Sequence, residues 1–377
     1  MTPRSWRPRR LFLATAVAVS LVLAGCSEVK NNRQNALQPK GHDAKTINNL
    51  FWPIAIIAIV VGILIIVATV YFAIRFRYRE GVNDNPKQIH GNTRLELGWT
   101  IVPALLLAVI AVPTISTIFD LADQPDADAL QVTVVGKQWW WQFEYTDAKV
   151  VTADELVIPT GRKVHLELKA CEDNICNVIH SFWVPELAGT VDVVPGRTNE
   201  LTLDADKPGT YLGQCKEYCG LSHANMRFRV IAMTRSDFEE WVSEQQQGPV
   251  QPLYAGEGAD QKPAGPAQEL IATKYQCTSC HSFDNAAAPS YGPNLTHLAS
   301  RDYFASATYE LNKKNLVNWV MNAPSMIPMQ TESDKCRPSP VNGCIGMPSF
   351  IENVPLGQPK MSRADAEQIA DFLLEQK

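Results

Sequence analysis

The chain has 377 residues, 46% of them hydrophobic, and a formal net charge of −5, which is length enough for two or three domains. No stretch is basic enough to suggest nucleic-acid binding. The charge is divided unevenly: residues 1–119 carry 13 Lys+Arg against 5 Asp+Glu, whereas 120–245 carry 11 against 21, so a basic, strongly apolar part precedes an acidic part of soluble composition.

Taken in chain order, the first feature is Arg4, Arg7, Arg9 and Arg10 followed by "LFLATAVAVSLVLAGC". A charged start and a short apolar run are the pattern of a secretory signal, expected over residues 1–25. The ending "LAGC" resembles a bacterial lipobox, in which Cys26 becomes the lipidated first residue. Two membrane spans are expected next, within a hairpin over 26–119. Residues 51–74 contain no charge over 24 positions, enough to cross about 30 Å of hydrocarbon at about 1.5 Å per residue. Residues 98–119 form the second span and are interrupted by Pro103 and Pro113, which membrane helices tolerate. The loop between them holds Arg75, Arg77, Arg79, Lys87 and Arg94. The positive-inside bias makes that loop cytoplasmic and everything after Asp120 external, on the oxidising side of a bacterial plasma membrane. Glu96, at the mouth of the second span, reads by itself as a solvated end group or as part of an ion path.

From Leu130 the pattern changes to short runs rich in Val, Thr and aromatics, such as "LQVTVVGKQWWWQFEY" and "MRFRVIAM", separated by Gly/Pro turns. Such runs predict a small β-sandwich over 120–245. Within it, "CKEYCGLSHANM" packs Cys215, Glu217, Cys219, His223 and Met226 into twelve positions, and His180 in "VIHSFWVPE" lies 35 residues before Cys215. A closed zinc site has little use for a methionine. A mononuclear blue-copper site takes two His, one Cys and an axial Met, leaving one thiolate unexplained. Two thiolates, two imidazoles and a thioether suit a pair of copper ions sharing both sulfurs.

These motifs, with "HSFWVPELAGTVDVVPGR" and "QWWWQFEY", resemble subunit II of haem–copper cytochrome c oxidases over roughly residues 45–235. The resemblance implies a cupredoxin-type fold and a binuclear copper A centre held by His180, Cys215, Cys219, His223, Met226 and the Glu217 carbonyl. It also implies a magnesium ion on the Glu217 carboxylate, facing the catalytic subunit I. Trp139 falls at the family's electron-entry position, and Trp140 reads as core packing. Glu96 falls at its "E-x-x-W-T-x-x-P" position, beside a proton path into the catalytic subunit. Partners implied are subunit I and other oxidase subunits, with cytochrome c or a cytochrome bc complex as donor.

Past the sandwich, residues 246–265 are Gly/Pro/Gln-rich without apolar period and read as a flexible linker. Beyond it "CTSCH" places Cys277, Cys280 and His281 in the C-x-x-C-H signature of covalent haem c attachment, with His281 as iron ligand. Residues 266–377 are therefore expected to form an all-α cytochrome c domain, as in caa-type oxidases. "YGPNL" resembles the loop whose carbonyl, here that of Pro293, orients that histidine. "GMPSF" makes Met347 the expected second axial ligand, while an insertion before it keeps Met326 and Met329 in play. The last residues, "SRADAEQIADFLLEQK", carry an apolar stripe and a Ser cap. Of the remaining cysteines, Cys171 with Cys176 and Cys336 with Cys344 each flank an insertion and are expected to pair as disulfides. The function implied is electron input to a terminal oxidase that reduces oxygen in another subunit. Its rivals are electron input to a copper A nitric oxide reductase and a membrane-anchored copper carrier; quinol-oxidising relatives keep the fold but lose the ligands.

Overall fold

A computed structural model describes residues 34–80, 88, 90–122, 127–170, 178–256, 260–284, 291–329, 346–352, 354–355 and 357–377. The signal segment with Cys26, and the pairs Cys171/Cys176 and Cys336/Cys344, lie outside the described residues.

Two long helices come first, α1 (His42–Arg75) and α2 (Thr93–Leu121). Both are apolar all round and expose their large side chains, with Leu64 at 64% and Leu107 at 65%. Water would not tolerate such surfaces, and a lipid bilayer does. Helix α2 starts at Asn92, whose side-chain oxygen accepts from Arg94 N and Leu95 N at 3.1 and 3.4 Å, an N-cap that satisfies donors the helix leaves free. The start of α1 is fastened to the next domain. Lys40 N donates to Glu186 O at 2.7 Å, Ala44 N to Leu187 O at 3.2 Å and His42 N to Asp204 Oδ1 at 2.6 Å. A Cβ on Gly41 would come within 2.7 Å of two backbone oxygens, so only glycine allows this close approach.

Ten strands follow as two packed sheets. β1 (Leu130–Lys137), β2 (Trp140–Tyr145), β3 (Val150–Ala153), β5 (Val164–Ala170) and β8 (Asn199–Leu203) form one, in the order β3-β2-β1-β5-β8. β4 (Glu155–Pro159), β6 (His180–Trp183), β7 (Thr190–Val193), β9 (Gly209–Cys215) and β10 (Arg227–Met233) form the other, in the order β4-β10-β9-β6-β7. Burial alternates along β1 and β10, as a two-residue side-chain period dictates for strands with one face on a core. The centre of that core is aromatic: Trp141 stands edge-on to Phe182 and Phe228 at 5.4 and 5.5 Å, and Phe182 stacks on Phe228 at 4.5 Å. Fixing Phe182 and Phe228 fixes β6, which carries His180, and β10, which leads out of the 215–226 loop that β9 enters. Helix α3 (Arg235–Gln245), capped by Thr234 Oγ1 on Asp237 N at 3.3 Å, closes the sandwich.

The C-terminal domain is helical. α4 (Pro266–Glu269, continuing as Leu270–Lys274), α5 (Lys313–Met326) and α6 (Arg363–Leu374) surround a core that includes Tyr275, Leu316, Val320, Ile369 and Leu373. Ser362 caps α6 by accepting from Asp365 N at 3.1 Å. The described part of 246–265 differs from the free chain expected of its composition. Leu253 is buried in the helical core, and His297 Nε2 lies 3.1 Å from Gln247 O. Tyr254–Ala255 and Lys262–Pro263 pair there as two short strands, and one well-placed leucine beside them helps bind the segment to the helical domain.

Candidate functional site

The ends of β6 and β9 bring the first cluster together. His180 opens β6 and is fully buried; Cys215 closes β9, and the turn after it returns Cys219 to the same place. The two sulfurs are 3.9 Å apart, with His180 Nδ1 4.0 Å from Cys215 Sγ and His223 Nδ1 3.7 Å from Cys219 Sγ. Met226 Sδ lies 3.7 Å from Cys219 Sγ, and the Glu217 carbonyl 3.2 Å from Cys215 Sγ. Gly136 makes room: a Cβ there would sit 2.9 Å from His180 Cδ2. Both thiols are free. A hydrogen bond from Cys219 lowers the Cys215 pKa against burial, while that bond and burial raise Cys219. One proton thus serves two sulfurs, the arrangement a soft cation replaces with advantage. Glu217 is exposed, as are Tyr218 and Leu221 near it in the loop, at 75% and 59%.

Trp139 and Gln138 close the cluster from the other side. Both donate to the carbonyl of Cys219, from Trp139 Nε1 at 3.0 Å and from Gln138 Nε2 at 2.6 Å. Trp139 is only 6% exposed, because the helical domain covers it. Ser306 Oγ donates to Trp139 O at 2.6 Å, Trp140 Nε1 donates to Tyr291 O at 3.2 Å, and Ser222 Oγ donates to Pro328 O. Trp140 is therefore an interface residue and not core packing.

Behind these two tryptophans lies a cavity of about 250 Å³, walled on the other side by Cys277, Cys280, His281 and Met347. His281 Nδ1 is 2.9 Å from Pro293 O, which leaves Nε2 as the ring's ligand atom. Gly292 lets the loop lie against that ring, since a Cβ would meet His281 Cε1 at 2.6 Å. Burial pushes the Cys277 thiol up to about 12, raises Cys280 and lowers His281, so thiols and imidazole are all neutral near pH 7. An apolar cradle with two thiols and one oriented neutral imidazole fits a covalently attached haem. Of the alternative methionines, Met329 lines the cavity and Met326 does not; Met329 Sδ is 2.7 Å from where a Cβ on Gly346 would stand.

Glu96 stands apart from both clusters. It is exposed, and its Oε1 accepts from Asn92 N at 3.2 Å, which makes it part of the α2 cap. Nothing in the sequence marks Ser222, Tyr291 or Ser306 as interface residues. Their contacts span 106, 151 and 167 positions, and nothing local to serine or tyrosine marks such partners.

Two family models match the chain: "Cytochrome C oxidase subunit II, periplasmic domain" over residues 130–233 and "Cytochrome C oxidase subunit II, transmembrane domain" over 27–117. Cytochrome c oxidase subunit 2 of Alkalihalophilus pseudofirmus is 36% identical over 332 residues, 85% of this chain and 90% of that protein. The protein of the same name from Bacillus subtilis is 33% identical, covering 85% and 90%. A quinol oxidase subunit 2 from Bacillus anthracis is 32% identical but covers 62% of this chain and 80% of its own length.

Proposed function

Since this chain belongs to the cytochrome c oxidase subunit II family and is the electron-input subunit of a haem–copper oxidase, we propose that it also carries its own donor haem, docked permanently over the copper site. The observation that supports this reading is the shared wall. Trp139 lines the cavity of Cys277, Cys280 and His281 and at the same time donates to the carbonyl of Cys219.

The family implies copper A, and the donor set fits it: His180 Nδ1, Cys215 Sγ, Cys219 Sγ, His223 Nδ1, Met226 Sδ and the Glu217 carbonyl would hold the metal pair. His281 would ligate the haem, with Cys277 and Cys280 as its thioether links, Pro293 orienting the imidazole and Met347 as second axial ligand. When bound, these groups supply reversible one-electron chemistry. The chain's own residues supply position and dryness. Cys215, Cys219, His180 and Met226 are buried, which excludes water and so reduces the solvent rearrangement that accompanies each electron. The two hydrogen bonds on the Cys219 carbonyl hold that loop at one distance from the haem cavity.

Two helices long and apolar enough to cross a membrane anchor the subunit, and subunit I is its implied partner. The charge of the 75–94 loop supports placing both redox domains outside. Glu217, Tyr218 and Leu221 form the exposed face best suited to meet the catalytic subunit, with Glu217 as a magnesium ligand there, and Glu96 stands at the opposite membrane face near a proton entrance. A soluble cytochrome c or a bc complex would deliver to the haem edge, because Trp139 is covered. Metal and haem analysis of the purified complex tests this: two coppers in this subunit and one covalent haem c are expected, and a chain free of covalent haem would refute the fused donor.

A further inference from the structure

Two acids that belong to neither ligand set lie between the domains. Asp154 and Glu155, at the start of β4, are 5% and 6% exposed. Asp154 lines the haem cavity together with Arg301. Its Oδ1 accepts from Trp141 N at 2.9 Å within the sandwich, and its Oδ2 accepts from Ser306 N at 3.1 Å across the interface. Ser306 sits in a run, Ala305, Ser306 and Ala307, with φ of 53°, 54° and 52°, a left-handed turn that L-residues resist and that its bonds to Asp154 and Trp139 hold in place. Glu155 Oε1 has no hydrogen-bond partner, nor does Nε of Arg229, its neighbour in register on β10. The other groups facing this pair are Arg301 and Asp302 from the helical domain, Tyr145 from β2, and Tyr303, whose ring lies 3.3 Å from the Arg229 guanidinium.

Backbone donors, Arg301 beside both acids and Arg229 beside Glu155 offset only part of the cost of burying two carboxylates. Burial raises both to about 7, with Arg301 opposing the shift and its own pKa lowered by the same burial. The pair therefore changes charge in the range where the protein works, beside a cavity whose occupant changes charge with every electron.

Resting on the haem reading above, we propose that Asp154 and Glu155 take up one proton from external water when the haem at His281 gains an electron, and release it when that electron moves on. The balance closes. The haem's net charge falls by one with the electron from the donor, and one carboxylate becomes a carboxyl, so the buried region keeps its charge. The pair are positioning residues that set the field at the haem through Arg301 and the cavity wall.

Optical redox titration of the haem band in the intact oxidase between pH 6 and 8 tests this. At fixed potential the oxidised-to-reduced ratio should rise with pH by roughly two- to tenfold per unit, tenfold being the one-proton ceiling and equal to about 59 mV for one electron. Asp154→Asn and Glu155→Gln should each reduce the slope, and the double variant should hold the haem near its wild-type low-pH value at every pH. Should Asp154→Asn fail to assemble, Glu155→Gln, which keeps an oxygen able to accept the backbone bond from Tyr303, reads the same slope. A flat wild-type titration, or a double variant with the wild-type slope, overturns the proposal. Absence of any covalent haem band overturns the haem reading instead.

Discussion

Two cysteine pairs, similar in sequence, end up in opposite chemical conditions. Cys215 and Cys219 stand at the end of a strand with each other, two imidazoles and a carbonyl within 4.0 Å. Cys277 and Cys280 stand in an apolar cavity, and burial raises both. In the first pair the hydrogen bond from one sulfur lowers the pKa of the other, which favours a thiolate there. In the second, both remain thiols. Metal ligation asks for the thiolate, so the surroundings of the first pair favour a metal, and those of the second suit the thiols proposed above as haem links.

The largest way to break this contrast is Cys219→Ser. A hydroxyl cannot share a soft cation, and both coppers should be lost while the haem band persists; retention of two coppers by metal analysis would show that the sulfurs do not act as a pair. Next comes the haem's second ligand. Met347→Ala should turn the haem high-spin in its absorption spectrum with copper content unchanged. If Met347→Ala leaves the spectrum alone and Met329→Ala changes it, the ligand is the methionine that also touches the sandwich core. A smaller effect is expected of Gly136→Ala, whose Cβ would press to 2.9 Å on His180 Cδ2. An overpacking cost of about 1–3 kcal/mol should appear as weaker copper retention during dialysis against a chelator, with haem content as the internal control.

Much of this was legible because it is local. An uncharged run of 24 residues, a twelve-residue ligand loop and a C-x-x-C-H motif each carry their meaning within one segment. The interface was not legible, since Trp140 meets Tyr291 and Asp154 meets Ser306 across 151 and 152 positions. For the same reason Trp140 read as core: a tryptophan between two others in a β-strand has the composition of a core residue, and only its partner's position shows where it lies. In 246–265 the packing of Leu253 is not legible from composition, because it is one apolar residue in a polar run.

The smallest expected effect concerns pH and the joint between the two domains. Asp154 and Glu155 have folded-state pKa values of about 7, raised chiefly by burial above ordinary carboxyl values. A raised folded pKa means that the folded form binds the proton more tightly. The pair's contribution is therefore most favourable below about pH 4 and is lost as pH rises toward 7. Hydrogen exchange at Ser306 N, which donates to Asp154, reports that loss locally. After correction for the intrinsic pH dependence of exchange, protection should fall between pH 5 and 8 in the wild type and stay level in Glu155→Gln with Asp154→Asn. Equal slopes in both proteins would mean that Arg301 keeps the pair ionised throughout, and that the buried acids serve only as fixed hydrogen-bond acceptors.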